Sequence, residues 1–583
     1  MNLEAALPKQ RAPPSATRRT GSSWRFVVAA AVAAVLVVSQ LATYKPHFDA
    51  HLAKHRILRN LQERPALRLN FQLKRKAMYV HGASTFDVLA TPSLSQSSVD
   101  NAMVYNGLAT FQQDGETHEY SLVDGTAYYT NHPVGRNASK SGCLPSGFVP
   151  PIETVLDAID SASTATHLVG AEMAAAACPG GSLLAFSFAD ENYLLCSRRA
   201  HEEGFRIIGE DLDIEVHYEQ SAPVIVAPII PSYVALSCGK VPSNKAISTL
   251  TTSLFTRSFS EWGHRSLRSE EADSWISSLV SEVVAAVTDD DDSASSSSSC
   301  STTARPCVFI AGLGIKTDYG LSTTDEKPYF GDEIQDNAPC CSSIQYIELA
   351  TSLYAWYDPT LTQRLADLLV QVSPSSDATT GTIRNTIIFA HSMGNNMLAS
   401  AIADGRCTLE SSTTWVAASA PMIGSMGSDF IQMACDGTLT GVVSSLMELF
   451  DECPVGAGRV AMSYQTGDYT SAELVAAYTA AQTAYTANVD AVMCSSGYTG
   501  LSSLLEVVYI LAGKTVPHTS SENDGIVEYG SCSHGLDTST FSSSYSSTNY
   551  LTKLNHADTS FRNGDSLFSG TKKPMKWFKS LMS

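Results

Sequence analysis

Positive charge is scarce in this chain. Its 583 residues hold 38 Lys and Arg against 58 Asp and Glu, a formal net charge of −20. A surface of that sign repels a phosphate backbone, which argues against a general nucleic-acid binder, and it does not favour recruitment to anionic lipid. The 13 cysteines include no Cys-x-x-Cys pair, so the usual spacing of a zinc site is missing and neither a metal nor another cofactor is implied. Near the start, no clean small-x-small cleavage site follows the first apolar run, and the basic segment ahead of that run is long for a cleaved signal peptide.

That run, residues 26–42 (FVVAAAVAAVLVVSQLA), is at the short end of what spans a bilayer. Lys9, Arg11, Arg18, Arg19 and Arg25 precede it against one acid, Glu4. The positive-inside rule therefore predicts a cytosolic tail over 1–25, a transmembrane signal anchor over 26–42, and the bulk of the chain in the secretory-pathway lumen or outside the cell, a single-pass type II arrangement. A cleaved signal peptide is the competing reading. Cysteine without metal spacing suits the same oxidising side. Cys143, Cys178, Cys196 and Cys238 fall together in the N-terminal region and can pair there, while the odd total leaves at least one thiol free or intermolecular. Asn137-Ala138-Ser139 is the one glycosylation sequon, expected to carry a glycan at Asn137.

Composition divides the rest. Asp289 to Asp292 run into Ser293-Ala294 and a block of serines, a solvated linker over 286–305. Before it, 43–285 contains short runs that alternate polar and apolar residues, such as Glu119-Tyr120-Ser121-Leu122-Val123 and Leu212-Asp213-Ile214-Glu215-Val216. With Gly, Asp and Pro turns between them, these predict a mostly antiparallel β domain. After the linker, 306–583 alternates strand-like and helix-like runs: strands over 308–311, 386–390 and 414–418, helices over 344–357, 361–372 and 393–403. That pattern predicts an α/β domain around a mostly parallel sheet. A largely helical stretch, about 425–515, is expected to cap it.

The chemistry-bearing stretch is Thr386-Ile387-Ile388-Phe389-Ala390-His391-Ser392-Met393-Gly394-Asn395. An apolar run, a serine between small residues and a helical pattern read as strand, sharp turn and helix, with Ser392 exposed at the tip. Ala390 and Gly394 supply the lack of bulk that such a turn demands. Ala-His-Ser-Met-Gly resembles the Gly/Ala-x-Ser-x-Gly nucleophile elbow of α/β-hydrolases, in particular lipases and esterases. The resemblance covers roughly 305–570 and implies the α/β-hydrolase fold with a helical cap, preceded here by the β domain and the N-terminal transmembrane helix.

The resemblance also implies partners for Ser392. Cys307 to Gly314 ends in Gly-x-Gly, similar to the loop with which lipases bind the oxyanion, so Leu313 N–H and Met393 N–H would be the two donors. Ala311 stands where lipases often have His, a change that backbone donors tolerate. The family order is serine, acid, histidine. Asn523-Asp524-Gly525-Ile526-Val527 resembles the Asp-Gly-x-Val turn that carries the acid, and Asn555-His556-Ala557-Asp558 resembles an Asn-His-x-Asp turn, which gives Ser392 as nucleophile, Asp524 as orienting acid and His556 as general base. Asp468 and His534 are the alternatives, and His391 is read as a packing residue. The implied activity is a membrane-anchored serine hydrolase of carboxylic esters, with a lipid or other ester as substrate. A lipid acyltransferase similar to the lecithin-cholesterol group, or a glycolipid-anchor inositol deacylase, fits the same residues. A catalytically inert, membrane-tethered binding protein is the reading from another class.

Overall fold

A computed structural model describes residues 52–94, 103–133, 139–144, 154–165, 171–189, 191–197, 204–230, 238–240, 300, 303–331, 333–436, 453–501 and 506–582. The expected span over 26–42, the Asn137 sequon and most of the linker lie outside the described residues. Among the described residues no helix is long and apolar enough to cross a membrane.

The first half forms one antiparallel sheet of 11 strands. In chain order these are β1 (Ala66–Leu73), β2 (Thr85–Leu94), β3 (Met103–Gln113), β4 (Glu116–Val123), β5 (Thr126–His132), β6 (Lys140–Cys143), β7 (Ser163–Thr164), β8 (Ser182–Phe188), β9 (Glu191–Ser197), β10 (Gly204–Gly209) and β11 (Leu212–Glu219). Local chemistry sets the hairpins. Asp114-Gly115 and Asp124-Gly125 join β3 to β4 and β4 to β5 with φ of 51° and 80°, and 48° and 77°, the left-handed pair that a two-residue type I′ turn requires. Leu67, Phe71, Phe186, Leu195, Phe205 and Ile214 bury one face of the sheet beneath Ile57, Leu58 and Leu61 of a helix over 52–63.

The second half is an α/β unit. Its main sheet runs β13-β14-β12-β16-β18-β19-β21-β20, where β12 is Arg305–Ile310, β13 Gly320–Ser322, β14 Cys341–Glu348, β16 Ile387–His391, β18 Thr414–Ala418, β19 Ala491–Ser495, β20 Phe541–Ser542 and β21 Asn549–Thr552; β15 (Thr382–Ile383) and β17 (Thr408–Leu409) pair separately. All neighbours in the main sheet are parallel except β13, which is antiparallel to β14. Alternation divides each strand between two cores, as a parallel sheet covered on both faces requires. Val308, Ile310, Ile388 and Ala390 face helices α1 (Pro359–Val372), α2 (Met393–Ala403) and α4 (Ala472–Asn488). Cys307, Phe309, Ile387 and Phe389 face Phe330, Phe561 and helix α6 (Pro574–Met582). Helix α3 (Met426–Cys435) and helix α5 (Glu506–Thr515) pack on each other through Phe430, Ile431 and Ala512.

Two expectations are corrected. The segment 344–357 is not a helix: 341–348 is strand β14, whose Ile344, Tyr346 and Ile347 pack into the sheet, and a short apolar run of this kind has no periodicity that tells buried strand from buried helix. The stretch 425–515 is not one cap. Within it, β19 belongs to the central sheet and α4 packs on α2, so among the described residues α3, α5 and the short helix Ala457–Val460 remain of the expected cap. The cysteines expected to pair in the first half do so, as Cys143–Cys238 and Cys178–Cys196. The second half holds Cys300–Cys340, Cys307–Cys341, Cys435–Cys453 and Cys494–Cys532, and the free thiol is buried Cys407. Burial pushes that thiol up to about 12, which leaves it unreactive.

The two halves are joined by buried charge. Asp211, in the β10–β11 turn, accepts from Lys573 Nζ at 2.6 Å, Arg75 Nε at 2.8 Å and Lys576 Nζ at 3.0 Å. Arg75 also donates to Asp565 at 2.7 Å, and Lys573 pairs with Glu191 at 2.9 Å. Burial alone would raise the Asp211 carboxyl, but Lys573, Arg75 and Lys576 together hold it well below the usual range. Phe568 sits edge-on to Phe71 at 5.8 Å and extends the first core into the second half. Replacing Asp211 by Asn keeps the volume but leaves three cations short of their shared anion. The expected cost is about 3–5 kcal/mol, read as a lower urea midpoint at unchanged slope; an unchanged midpoint would show that the network carries no stability.

Candidate active site

The elbow is assembled from the strand upward. β16 delivers Ser392 at φ 53° and ψ −131°, and α2 begins at the next residue. A serine in that conformation is strained by about 1–3 kcal/mol and persists only where its surroundings enforce it. Here Ser392 N donates to Ala418 O at 2.9 Å. The Asn395 amide donates to Ala390 O at 2.9 Å and to Ser392 O and Ala418 O at 3.2 Å, and its oxygen accepts from Trp415 Nε1. Two glycines let the chains close. A Cβ on Gly394 would lie 2.8 Å from Ile310 O, and one on Gly312 would lie 2.8 Å from Ser392 Cβ.

Ser392 does not stand alone. His556 Nε2 lies 2.9 Å from its Oγ, and His556 Nδ1 lies 2.7 Å from Asp524 Oδ2. The other Asp524 oxygen accepts from Ile526 N at 3.0 Å and Val527 N at 2.7 Å. This turn presents Oδ2 to the ring. The site buries Asp524, which by itself would raise its carboxyl; His556 and the two amides outweigh burial and hold it below the ordinary value. An ionised carboxylate only accepts, so Nδ1 carries the proton and Nε2 is free to accept from the serine hydroxyl.

His391 buttresses His556 rather than Ser392. Tyr329 OH donates to its Nδ1 at 2.8 Å, and its Nε2 lies 3.0 Å from both His556 O and Thr559 Oγ1. Burial, then the neighbouring His556, lowers its pKa well below the ordinary 6.5, so it is neutral and Nε2–H is the donor. Thr559 Oγ1 also donates to His556 O at 2.8 Å. Burial pushes the Tyr329 phenol up to about 12 and keeps it a donor. Tyr329, Asn395 and Thr559 went unread in the sequence: Tyr329 and Thr559 meet His391 across 62 and 168 positions, and Asn395, though it bonds within five residues to Ala390 O and Ser392 O, lies in no pattern of its own.

The amides of Leu313 and Met393 have no hydrogen-bond acceptor among the described residues. Leu313 lines a cavity of about 220 Å³ that opens onto Ser392 and His556, with Ile431 of α3, Tyr509 of α5, Met462 and Ile526 around it. The alternatives Asp468 and His534 are not brought to the serine, and neither lines this cavity. His518 is buried against Glu528 at 2.6 Å. Among the described residues no group of three or more His, Cys, Asp or Glu is placed to hold a metal ion.

A scan of protein-family models and a search of curated proteins find no match. Among solved structures the chain is similar to the mature Bacillus licheniformis lipase BlEst2, at 14% identity over 46% of this chain and 90% of that one with a TM-score of 0.31. It is also similar to the Staphylococcus hyicus lipase, at 12% identity over 47% and 92% with a TM-score of 0.26. Scores of that size carry no weight for the site, whose chemistry rests on its own geometry.

His391 sets a pH dependence. Because its folded pKa is lowered, the unfolded chain takes up a proton that the folded chain refuses once pH drops below about 6.5. Stability from this group is therefore complete above that pH and declines below it. His391→Leu should cost about 1–3 kcal/mol at pH 7 by orphaning the Tyr329 hydroxyl and removing one of the two donors to His556 O. It should also flatten the fall in urea midpoint between pH 7 and pH 5, and equal slopes in both proteins would refute the assignment.

Proposed function

We propose that the chain is a serine hydrolase of carboxylic esters, with Ser392 as nucleophile, His556 as general base and then acid, Asp524 as its orienting carboxylate, and the Leu313 and Met393 amides as oxyanion donors. The observation that carries this is the unbroken relay from Asp524 through His556 to Ser392, at 2.7 and 2.9 Å, opening onto a cavity. In this reading Ser392 Oγ bonds to the ester carbonyl carbon while its proton passes to His556 Nε2. The carbonyl oxygen gains the negative charge and would draw on the Leu313 and Met393 amides, which have no other acceptor among the described residues. Collapse breaks the bond to the alcohol, which leaves with the proton from His556. Water then gives a proton to His556 and attacks the acyl-enzyme; the acid departs and Ser392 recovers its proton.

An intact relay argues against an inert binding protein. The six disulfides fit an oxidising compartment, which supports a lumenal or extracellular protein, and the 26–42 run is its proposed anchor. Apolar Leu313, Ile431, Met462 and Ile526 in the wall suit an acyl chain. At about 220 Å³ the cavity is smaller than the roughly 300–1,000 Å³ of drug-sized ligand sites, which favours short chains.

The test is labelling of the full-length protein with a fluorophosphonate and peptide mapping. The adduct should fall on Ser392 and vanish in Ser392→Ala; a folded protein that stays unlabelled refutes the proposal. Asp524→Asn should keep the fold and lower kcat by on the order of 10²- to 10⁴-fold, because the amide favours the wrong ring tautomer. p-Nitrophenyl butyrate should exceed the palmitate ester in kcat/KM, and the reverse order would place the acyl chain outside this cavity.

A further inference from the structure

The cavity beside Ser392 has a charge opposite to that of the chain. The sequence carries −20, yet the described residues lining this cavity include Arg459 and Arg562 and no Asp or Glu. Arg562 is the more telling. Its Nε and Nη2 donate to one acceptor, Tyr329 O, at 3.3 and 3.2 Å, and its Cζ lies 5.5 Å from the centre of the Tyr329 ring. Tyr329 is itself fixed through its hydroxyl to His391. The backbone is equally constrained, since a Cβ on Gly331 would lie 3.0 Å from Arg562 Cα.

A guanidinium thus held is aimed before any substrate arrives. It also lacks the carboxylate that several other arginines in this protein have, a lack it shares with Arg305 and Arg384. Arg75, Arg206 and Arg364 each meet a carboxylate within 3.2 Å. Arg562 has no carboxylate partner among the described residues, and its Nη1 has no hydrogen bond there. A half-buried cation keeps a desolvation cost that a bound anion offsets, and the fork suits two parallel hydrogen bonds to carboxylate or phosphate oxygens.

We propose that Arg562 binds an anionic group on the substrate, so that the preferred ester carries a carboxylate or phosphate on its acyl or alcohol part. This rests on the reading of Ser392 as nucleophile. Apolar wall and cation then divide the work: the wall takes the acyl methylenes, and Arg562 fixes which end enters.

The experiment uses the full-length protein and matched ester pairs: p-nitrophenyl hexanoate against mono-p-nitrophenyl adipate, and monobutyrylglycerol against butyryl glycerol phosphate. Wild type should give the higher kcat/KM with the anionic member of at least one pair, and the pair that responds locates the anion on the acyl or the alcohol side. Arg562→Gln should lower the anionic-to-neutral ratio of kcat/KM by on the order of 10- to 100-fold, the worth of a charge-assisted hydrogen bond. Arg562→Lys should retain part of the ratio, as a point charge without the fork. An arginine that only braces Tyr329 would lower both esters alike; an unchanged ratio overturns the proposal, as does a wild-type preference for the neutral member of both pairs. Fluorophosphonate labelling of each variant separates the failures. Loss of label at Ser392 in wild type sinks the hydrolase reading itself, whereas a labelled Arg562→Gln with an unchanged ratio sinks only the anion site.

Discussion

Holding one serine at φ 53° between a buried strand and a helix constrains much of the second half. The conformation is uphill for any residue with a side chain, so it must be braced on every side. Asn395 closes the turn from below with three donated hydrogen bonds, the β12–β13 loop presses Gly312 against Ser392 from the side, and Ala418 at the end of β18 accepts from its amide. These braces come from neighbouring parallel strands, and the C-terminal ends of a parallel sheet are where loops from distant sequence can meet over one point. Asp524 and His556 arrive on such loops, on either side of β21.

The elbow and its partners were legible because their information is local. A serine between small residues, an Asp-Gly turn and an Asn-His turn can each be read within five residues, and the structure brings those three side chains into one relay. The Asp-Gly hairpins of the first half were legible in the same way. What failed was longer-range. Buried β14 carries Ile344, Tyr346 and Ile347 in a run whose helical or extended state depends on its neighbours, β12 and β13. The cap was overdrawn because helix content alone cannot separate α4, which belongs to the core, from α3 and α5. His391 was read as packing, and packing is part of its role, but its bond to His556 O spans 165 positions and leaves no local trace.

The buried charges show why the acidic linker is a poor guide to independence. Composition marks a boundary at 286–305, yet Arg75, Glu191 and Asp211 from before it share one ionic cluster with Asp565, Lys573 and Lys576 from after it. Asp565 follows the base by only nine residues, and its carboxylate accepts from the Met575 and Lys576 amides at the start of α6. The first half is therefore bonded to the segment that follows His556 by nine residues, through Arg75 donating to Asp565 and the Asp565 amide donating to Ala77 O.

That arrangement also orders events in time. Asp211 is made early, while the lysines that neutralise it lie 362 and 365 positions later. A chain emerging N-terminus first exposes the β10–β11 turn long before α6 exists. The sheet then has its strands and hairpins but a carboxylate short of two of its three cations, which come only with α6. The ionic contacts that join the two halves can form only after α6 is made, and contacts of such high sequence separation are slow to form. The Asp524–His556–Ser392 relay is completed at nearly the same point of the chain, since His556 precedes Lys573 by 17 residues. A nascent chain that stops between Ser392 and His556 carries Ser392 without the ring nitrogen that its hydroxyl meets in the folded protein.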